Sequence, residues 1–253
     1  MKRLFLIMIL CLSSISAEEF HATIPVVDMQ DYFNPEKHDV FIESISQALQ
    51  EVGFFAVRNS DIDVDVVDNA YNATEGFFAQ DLETKCKYRD PSVNGQRGYV
   101  LSEAAKGKDV LDHKEFYHVG RHLSEKQQQR LGYYQNIWPE EMEFGKPVRN
   151  LYGELERLMD LTERAVAEAL DLHENHLTDM TVEGNNLLRI IHYPPMKETS
   201  EETVWAAEHT DIDLFTILPR ATNDGLEVQD RNGEWFVQTL NTKVSIHQMD
   251  ASL

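Results

Sequence analysis

From Asn185 onward the chain is written in short apolar runs, each stopped by turn residues, and this punctuation constrains the fold more than any other feature. Leu187-Leu188-Arg189-Ile190-Ile191 ends at Pro194-Pro195, and Leu214 to Leu218 ends at Pro219. Leu226-Glu227-Val228-Gln229 meets the turn Asp230-Arg231-Asn232-Gly233 before Trp235-Phe236-Val237. Short apolar runs bounded by Pro, Asn and Gly predict strands, because those residues break helices and favour tight turns. The first half reads differently. Ile24-Pro25-Val26-Val27-Asp28 predicts a short strand, and Phe41, Ile45, Ala48, Leu49 and Val52 recur at helical spacing between about Asp39 and Val52. Gly53 stops that helix before the apolar run Phe54-Phe55-Ala56-Val57, and a second amphipathic helix is expected from about Val64 to Ala79.

The stretch from Lys87 to Arg121 is polar and contains Pro91, Gly95, Gly98 and Gly107, so it reads as loops with at most short strands. A long helix is expected around Met142–Leu172, with Leu151, Leu155, Leu158, Leu161, Ala165, Ala169 and Leu172 as its apolar stripe and its acids on a solvated face. Helices first and strands later give an α+β class with the β part C-terminal.

Acidic residues outnumber basic ones 44 to 23, for a net charge of −21. That balance argues against nucleic acid, whose binders cluster Lys and Arg against phosphates, and against attraction to anionic lipid. Lys2 and Arg3 precede the apolar run Leu4–Leu12 and then Ser13-Ser14-Ile15-Ser16-Ala17. A basic start, a short apolar stretch and small residues predict a signal peptide over residues 1–17, with no membrane span. The expected location is outside the cytoplasm (periplasmic or exported) if this leader is used, and cytoplasmic otherwise. Cys11 lies in the leader, so only Cys86 would remain and no intrachain disulfide is possible, a usage that fits the cytosol at least as well.

The candidate chemistry lies at His209-Thr210-Asp211. In a strand, residues i and i+2 project from one face, so the imidazole and carboxylate can converge on one ion. One more histidine from elsewhere would complete a 2-His-1-carboxylate triad that holds Fe(II) and leaves coordination positions open. Taken alone, a His-x-Asp triplet reads as an exposed polar turn, and only its context can favour the metal.

Its context resembles the isopenicillin N synthase-like family of non-haem Fe(II), 2-oxoglutarate-dependent dioxygenases. Ile24–Asp28 is similar to the family's opening strand, and Gly53-Phe54-Phe55-Ala56-Val57-Arg58-Asn59 to its GFF-x-V-x-N element. Phe77-Phe78 with Lys85, Gly98-Tyr99, Asp112-His113-Lys114-Glu115 and Asn136-Ile137-Trp138-Pro139 follow in the family's order. Leu188-Arg189-Ile190-Ile191-His192-Tyr193-Pro194-Pro195 then resembles LR-x-x-x-YPP, ahead of His209-Thr210-Asp211 and Gly225-Leu226-Glu227-Val228. The resemblance implies a double-stranded β-helix (jelly-roll) core, incomplete at the C-terminus, with flanking helices. It divides the chain into the leader 1–17, an N-terminal dioxygenase region 18–140, and a long helix plus partial jelly roll over 141–253. It implies Fe(II) and the cosubstrate 2-oxoglutarate, with a small-molecule substrate and dioxygen as partners. Carried over by position, His209 and Asp211 are iron ligands, and Tyr193 and Arg189 contact the cosubstrate. Arg189 also reads as an outward-facing strand residue that pairs with an acid, and His192 as scaffold.

In the family a second iron-binding histidine and then Arg-x-Ser follow downstream, whereas the sequence ends at Leu253 before either. The expectation is therefore a truncated chain, doubtful as a stable enzyme. His247 is a weak candidate for the missing ligand, more simply a polar residue at a frayed end. Two alternatives stand beside the enzyme. One is a catalytically dead family member that binds a small molecule or partner. The other is a metal hydrolase using His209 and Asp211 with His113, Lys114, Glu115 or His118, which otherwise read as a solvated loop.

Overall fold

The computed structural model describes residues 24–101, 114–195, 208, 213–220, 222, 226–229, 233–238 and 244–249. Residues 1–17, read from the sequence as a leader, lie outside the described residues, as do His113, His209 and Asp211. The N-terminal elements are β1 (Val26–Asp28), α1 (Met29–Tyr32), α2 (His38–Glu51), β2 (Phe54–Arg58), α3 (Val64–Phe78) and α4 (Leu82–Cys86). Then come β3 (Gly98–Val100), β4 (Glu115–Gly120), α5 (Glu125–Leu131), α6 (Gly145–Ala169) and α7 (His176–Thr181). The remaining strands are β5 (Leu187–His192), β6 (Phe215–Leu218), β7 (Leu226–Gln229), β8 (Trp235–Gln238) and β9 (Val244–Met249).

The helices form where the periodicity places them. α2 buries Phe41, Ile45, Ala48 and Leu49, and Gly53, at φ 84°, donates back to the Ala48 carbonyl at 3.0 Å and turns the chain into β2. That positive φ is one that glycine adopts without steric cost. Asp63 caps α3 through the Asp65 amide at 2.9 Å.

The strands are not confined to the C-terminal half. One sheet runs β1-β2-β9-β6, with β9 antiparallel to both β2 and β6; the second runs β3-β4-β5; β7 and β8 form a hairpin. Strands separated widely in sequence thus close both larger sheets, which a left-to-right reading of element types does not reveal. The stretch read as loops also contains β4, a six-residue strand with neighbours on both sides. Its period-2 pattern is masked by Glu115 among the inward residues, an apolar-looking strand position occupied by a charge that is neutralised internally.

α6, 25 residues long, joins two cores. Its first half sends Val148 and Tyr152 into a cluster with Phe77, Phe78, Tyr99, Tyr117, Val119 and Phe144 beneath the β3-β4-β5 sheet. Its second half sends Leu158, Ala165 and Val166 into a cluster with Val27, Phe41, Ile45, Phe55, Val57 and Phe215 beneath the other sheet. Each fully buried large apolar side chain contributes about 1.5–3 kcal/mol, so the helix is a spine that fixes one sheet relative to the other. Not all its acids are solvated. Glu163 is buried and accepts from the Thr181 hydroxyl at 2.7 Å, while Glu168 takes Tyr32 Oη at 2.9 Å and His38 Nε2 at 2.7 Å. These acids fasten α7, α1 and the start of α2 to the helix.

Two of the sequence motifs have a direct structural cause. Asn136 donates to the Gly120 carbonyl and accepts from the Gly120 amide, both at 2.7 Å, so its side chain stands in for a neighbouring strand at the end of β4. Gly98, at φ 75°, leaves no room for a Cβ against the Tyr88 carbonyl.

Candidate active site

The β3-β4-β5 sheet presents two chemically different faces. Because strand side chains alternate, Tyr99, Glu115, Tyr117, Leu188, Ile190 and His192 point to the cluster under α6, while Phe116, His118, Arg189 and Ile191 point the other way. The alternation of exposure continues past β5, so Tyr193, 43% exposed, falls with Arg189 rather than with His192. The two cosubstrate-contact candidates therefore share one face. Arg189 sets its guanidinium 4.1 Å above the ring of buried Phe116, a cation–π contact that holds an otherwise flexible side chain over the sheet.

The opposite face carries a buried polar network. Glu115, 5% exposed, accepts from Lys85 Nζ at 2.9 and 2.7 Å, from the Tyr99 hydroxyl, and from His192 Nδ1 at 2.8 Å. An ionised carboxylate only accepts, so His192 carries its proton on Nδ1. Burial alone would raise the Glu115 pKa, but hydrogen bonds from Lys85, Tyr99 and His192 outweigh it and hold the carboxyl below its ordinary value. Burial, reinforced by the bond to this carboxylate, pushes the Tyr99 phenol far up, so it stays a donor. Three residues from three other motif elements thus converge on the Glu115 carboxylate. Read from the sequence, Lys85 is one residue of a motif and Glu115 part of a solvated loop, and nothing local to either announces the pairing.

This arrangement corrects the reading of Glu115 and His118 as part of a solvated loop, since both lie on β4. Glu115 and His118 lie on opposite faces of β4, and His118 Nδ1 is bonded to the Gly95 carbonyl at 2.7 Å. They do not converge on one ion, so these two side chains cannot act together in the hydrolase alternative.

His247 is also not at a frayed end. It is fully buried on β9, its ring stacked on Phe55 with centroids 5.2 Å apart. Thr162 Oγ1 spends its proton on the Leu158 carbonyl at 2.8 Å, so His247 Nδ1 donates to that oxygen at 3.2 Å. Nε2 then accepts from Ser245 Oγ at 2.9 Å. Both ring nitrogens are committed to hydroxyls, and no group of His, Cys, Asp or Glu that could hold a metal occurs among the described residues. Burial pushes the imidazole pKa down to about 3. Below pH ~6.5 the unfolded chain takes up a proton that the folded one refuses, so stability falls by up to about 1.4 kcal/mol per pH unit; above pH ~6.5 the term vanishes. The urea midpoint of the parent should accordingly approach that of His247→Gln as pH falls from 7 to 4.5. A constant gap between the two proteins would contradict this.

Comparison with known proteins places the fold. Residues 24–141 match the family model described as the N-terminal region of the non-haem dioxygenase in morphine synthesis. Proline hydroxylase buaE from Petromyces alliaceus is 30% identical over 219 residues, which is 81% of this chain and 66% of that protein. The chain spans between 60 and 66% of the length of three curated relatives that it matches. The crystal structure of a 2OG-Fe(II) oxygenase family protein from Caulobacter crescentus superposes with a TM-score of 0.78 at 31% identity, covering 89% of this chain and 73% of that one. A full-length Neurospora crassa protein crystallised in complex with alpha-KG gives 0.78 at 25% identity, covering 91% and 74%. With a jelly-roll core and flanking helices shared across that length, the chain belongs to the 2OG-Fe(II) oxygenase family.

Proposed function

We propose that this chain is an Fe(II)- and 2-oxoglutarate-dependent dioxygenase that oxidises a small organic substrate. The observation that carries the reading is the match to the Caulobacter 2OG-Fe(II) oxygenase over 89% of the chain at 31% identity. His209 and Asp211 are assigned as two of the iron's ligands. An imidazole and a carboxylate two residues apart supply two of the three donors of the 2-His-1-carboxylate set that suits Fe(II), so the chemistry of these residues fits the metal. When bound, the iron supplies the oxidising chemistry that couples loss of CO2 from 2-oxoglutarate to oxidation of a substrate C–H bond.

The protein's own share is binding and orientation. Tyr193, whose phenol offers an O–H donor, is assigned to a cosubstrate carboxylate. Arg189 offers a planar guanidinium fork to the same class of group. Its stacking on Phe116 supports this role, since the side chain is already ordered before any ligand arrives. Residues 1–17 carry the separate proposal of export. Fractionation of cells expressing C-terminally tagged protein should find it outside the cytoplasm, and retention in the cytoplasm would overturn that proposal. No helix among the described residues is long and apolar enough to cross a membrane.

The test of function is Fe(II)-dependent succinate release from 2-oxoglutarate by the reconstituted protein. Succinate that appears only with both iron and 2-oxoglutarate supports the reading. Its absence favours a catalytically dead binding module.

A further inference from the structure

The ladder between β4 and β5 ends at the pair Glu115–His192, and Tyr193 is the first residue beyond it. Pro194 restricts the residue before it to extended conformations and cannot donate to a continuing ladder. The direction in which Tyr193 projects is therefore set by how firmly the last rung is held. That rung is fixed by side chains as well as backbone. The His192 ring is stacked on Phe78, centroids 5.2 Å apart at 25°, and its Nδ1 bonds Glu115 Oε1 at 2.8 Å. Glu115 is itself immobilised by Lys85 and Tyr99. His192 and Tyr193 are consecutive, so anchoring one on the inner face aims the other from the opposite face.

We infer that His192, locked by the buried Glu115 carboxylate, is a positioning residue that aims the Tyr193 hydroxyl at bound 2-oxoglutarate. The inference rests on the assignment of Tyr193 to the cosubstrate made above. Groups that orient a first contact shell typically change affinity by about 10–100-fold when removed, without touching the ligand themselves.

The experiment is calorimetric titration of 2-oxoglutarate into protein loaded with Mn(II) as a redox-inert substitute for Fe(II). His192→Phe keeps the ring on Phe78 and deletes the Nδ1 donor, whereas His192→Asn restores a donor at the same place. His192→Phe should raise the Kd about 10-fold, and His192→Asn should recover most of that loss. Tyr193→Phe should weaken binding as well, and the double variant His192→Phe/Tyr193→Phe should be scarcely weaker than Tyr193→Phe alone. Additive losses would overturn the inference, because a merely structural role adds to the loss of the phenol. A weakened Tyr193→Phe beside an unchanged His192→Phe would overturn it too, while leaving the assignment of Tyr193 intact. An unchanged Tyr193→Phe, or no binding by the parent, would overturn both. If His192→Phe fails to fold, Glu115→Gln replaces it and should raise the Kd in the same non-additive way with Tyr193→Phe; an additive effect there counts equally against the inference.

Discussion

Lys85→Met is expected to destabilise the protein by about 3–5 kcal/mol, since it strips a buried carboxylate of its cationic partner. Lys85 and Glu115 have side chains only 10% and 7% exposed, and the ammonium reaches both carboxylate oxygens. Tyr99 and His192 remain as donors, but neither brings a fixed positive charge. The loss should fall most heavily on the β3-β4-β5 sheet, where the carboxylate pins β3, β4 and the end of β5 to α4. Urea denaturation gives the magnitude. The double variant Lys85→Met/Glu115→Gln should be less destabilised than the sum of the two single changes, because removing both charges leaves no unpaired ion behind. A loss below about 1 kcal/mol for Lys85→Met would mean that the pair behaves like an exposed surface bridge and is not the anchor described.

The second large effect is expected at the assigned iron ligands. His209→Ala and Asp211→Ala should each weaken Fe(II) binding by more than about 100-fold, a loss larger than that usual for residues that merely support a ligand. An effect confined to the metal should leave the fold intact. Circular dichroism and urea midpoints close to those of the parent would establish that the loss is local. Parallel loss of stability would instead make the triplet a scaffold element.

How far the sequence foretells this molecule depends on which forces each segment obeys. α2, β2 and α3 follow local rules, an apolar period, a stop at Gly53 and a cap at Asp63, and they stand within a residue or two of where those rules put them. α6 is shorter at both ends than the expected Met142–Leu172, because Phe144 and Leu170 already take the cap positions. β4 was hidden because its inward Glu115 is neutralised by Lys85, 30 residues away, a partnership without any local trace. The joining of β2 to β9 is likewise a non-local choice. Phe55 and His247 are cross-strand partners that stack in the core, and no pattern within either segment announces it. At the candidate site the period-2 rule was sufficient for Arg189 and Tyr193, which share a face, and for His192, which opposes them. What it did not disclose was that His192 is tied to Glu115. The motif residues divide accordingly into those assigned to the ligands and those that hold the sheet beneath them.

The most direct test is an anaerobic Fe(II) titration of the intact chain with and without 2-oxoglutarate, alongside His209→Ala and Asp211→Ala. The account predicts saturation at one iron per chain, tighter in the presence of 2-oxoglutarate, with binding lost in both variants. Absence of saturable binding by the parent, or equal binding by parent and variants, would contradict it.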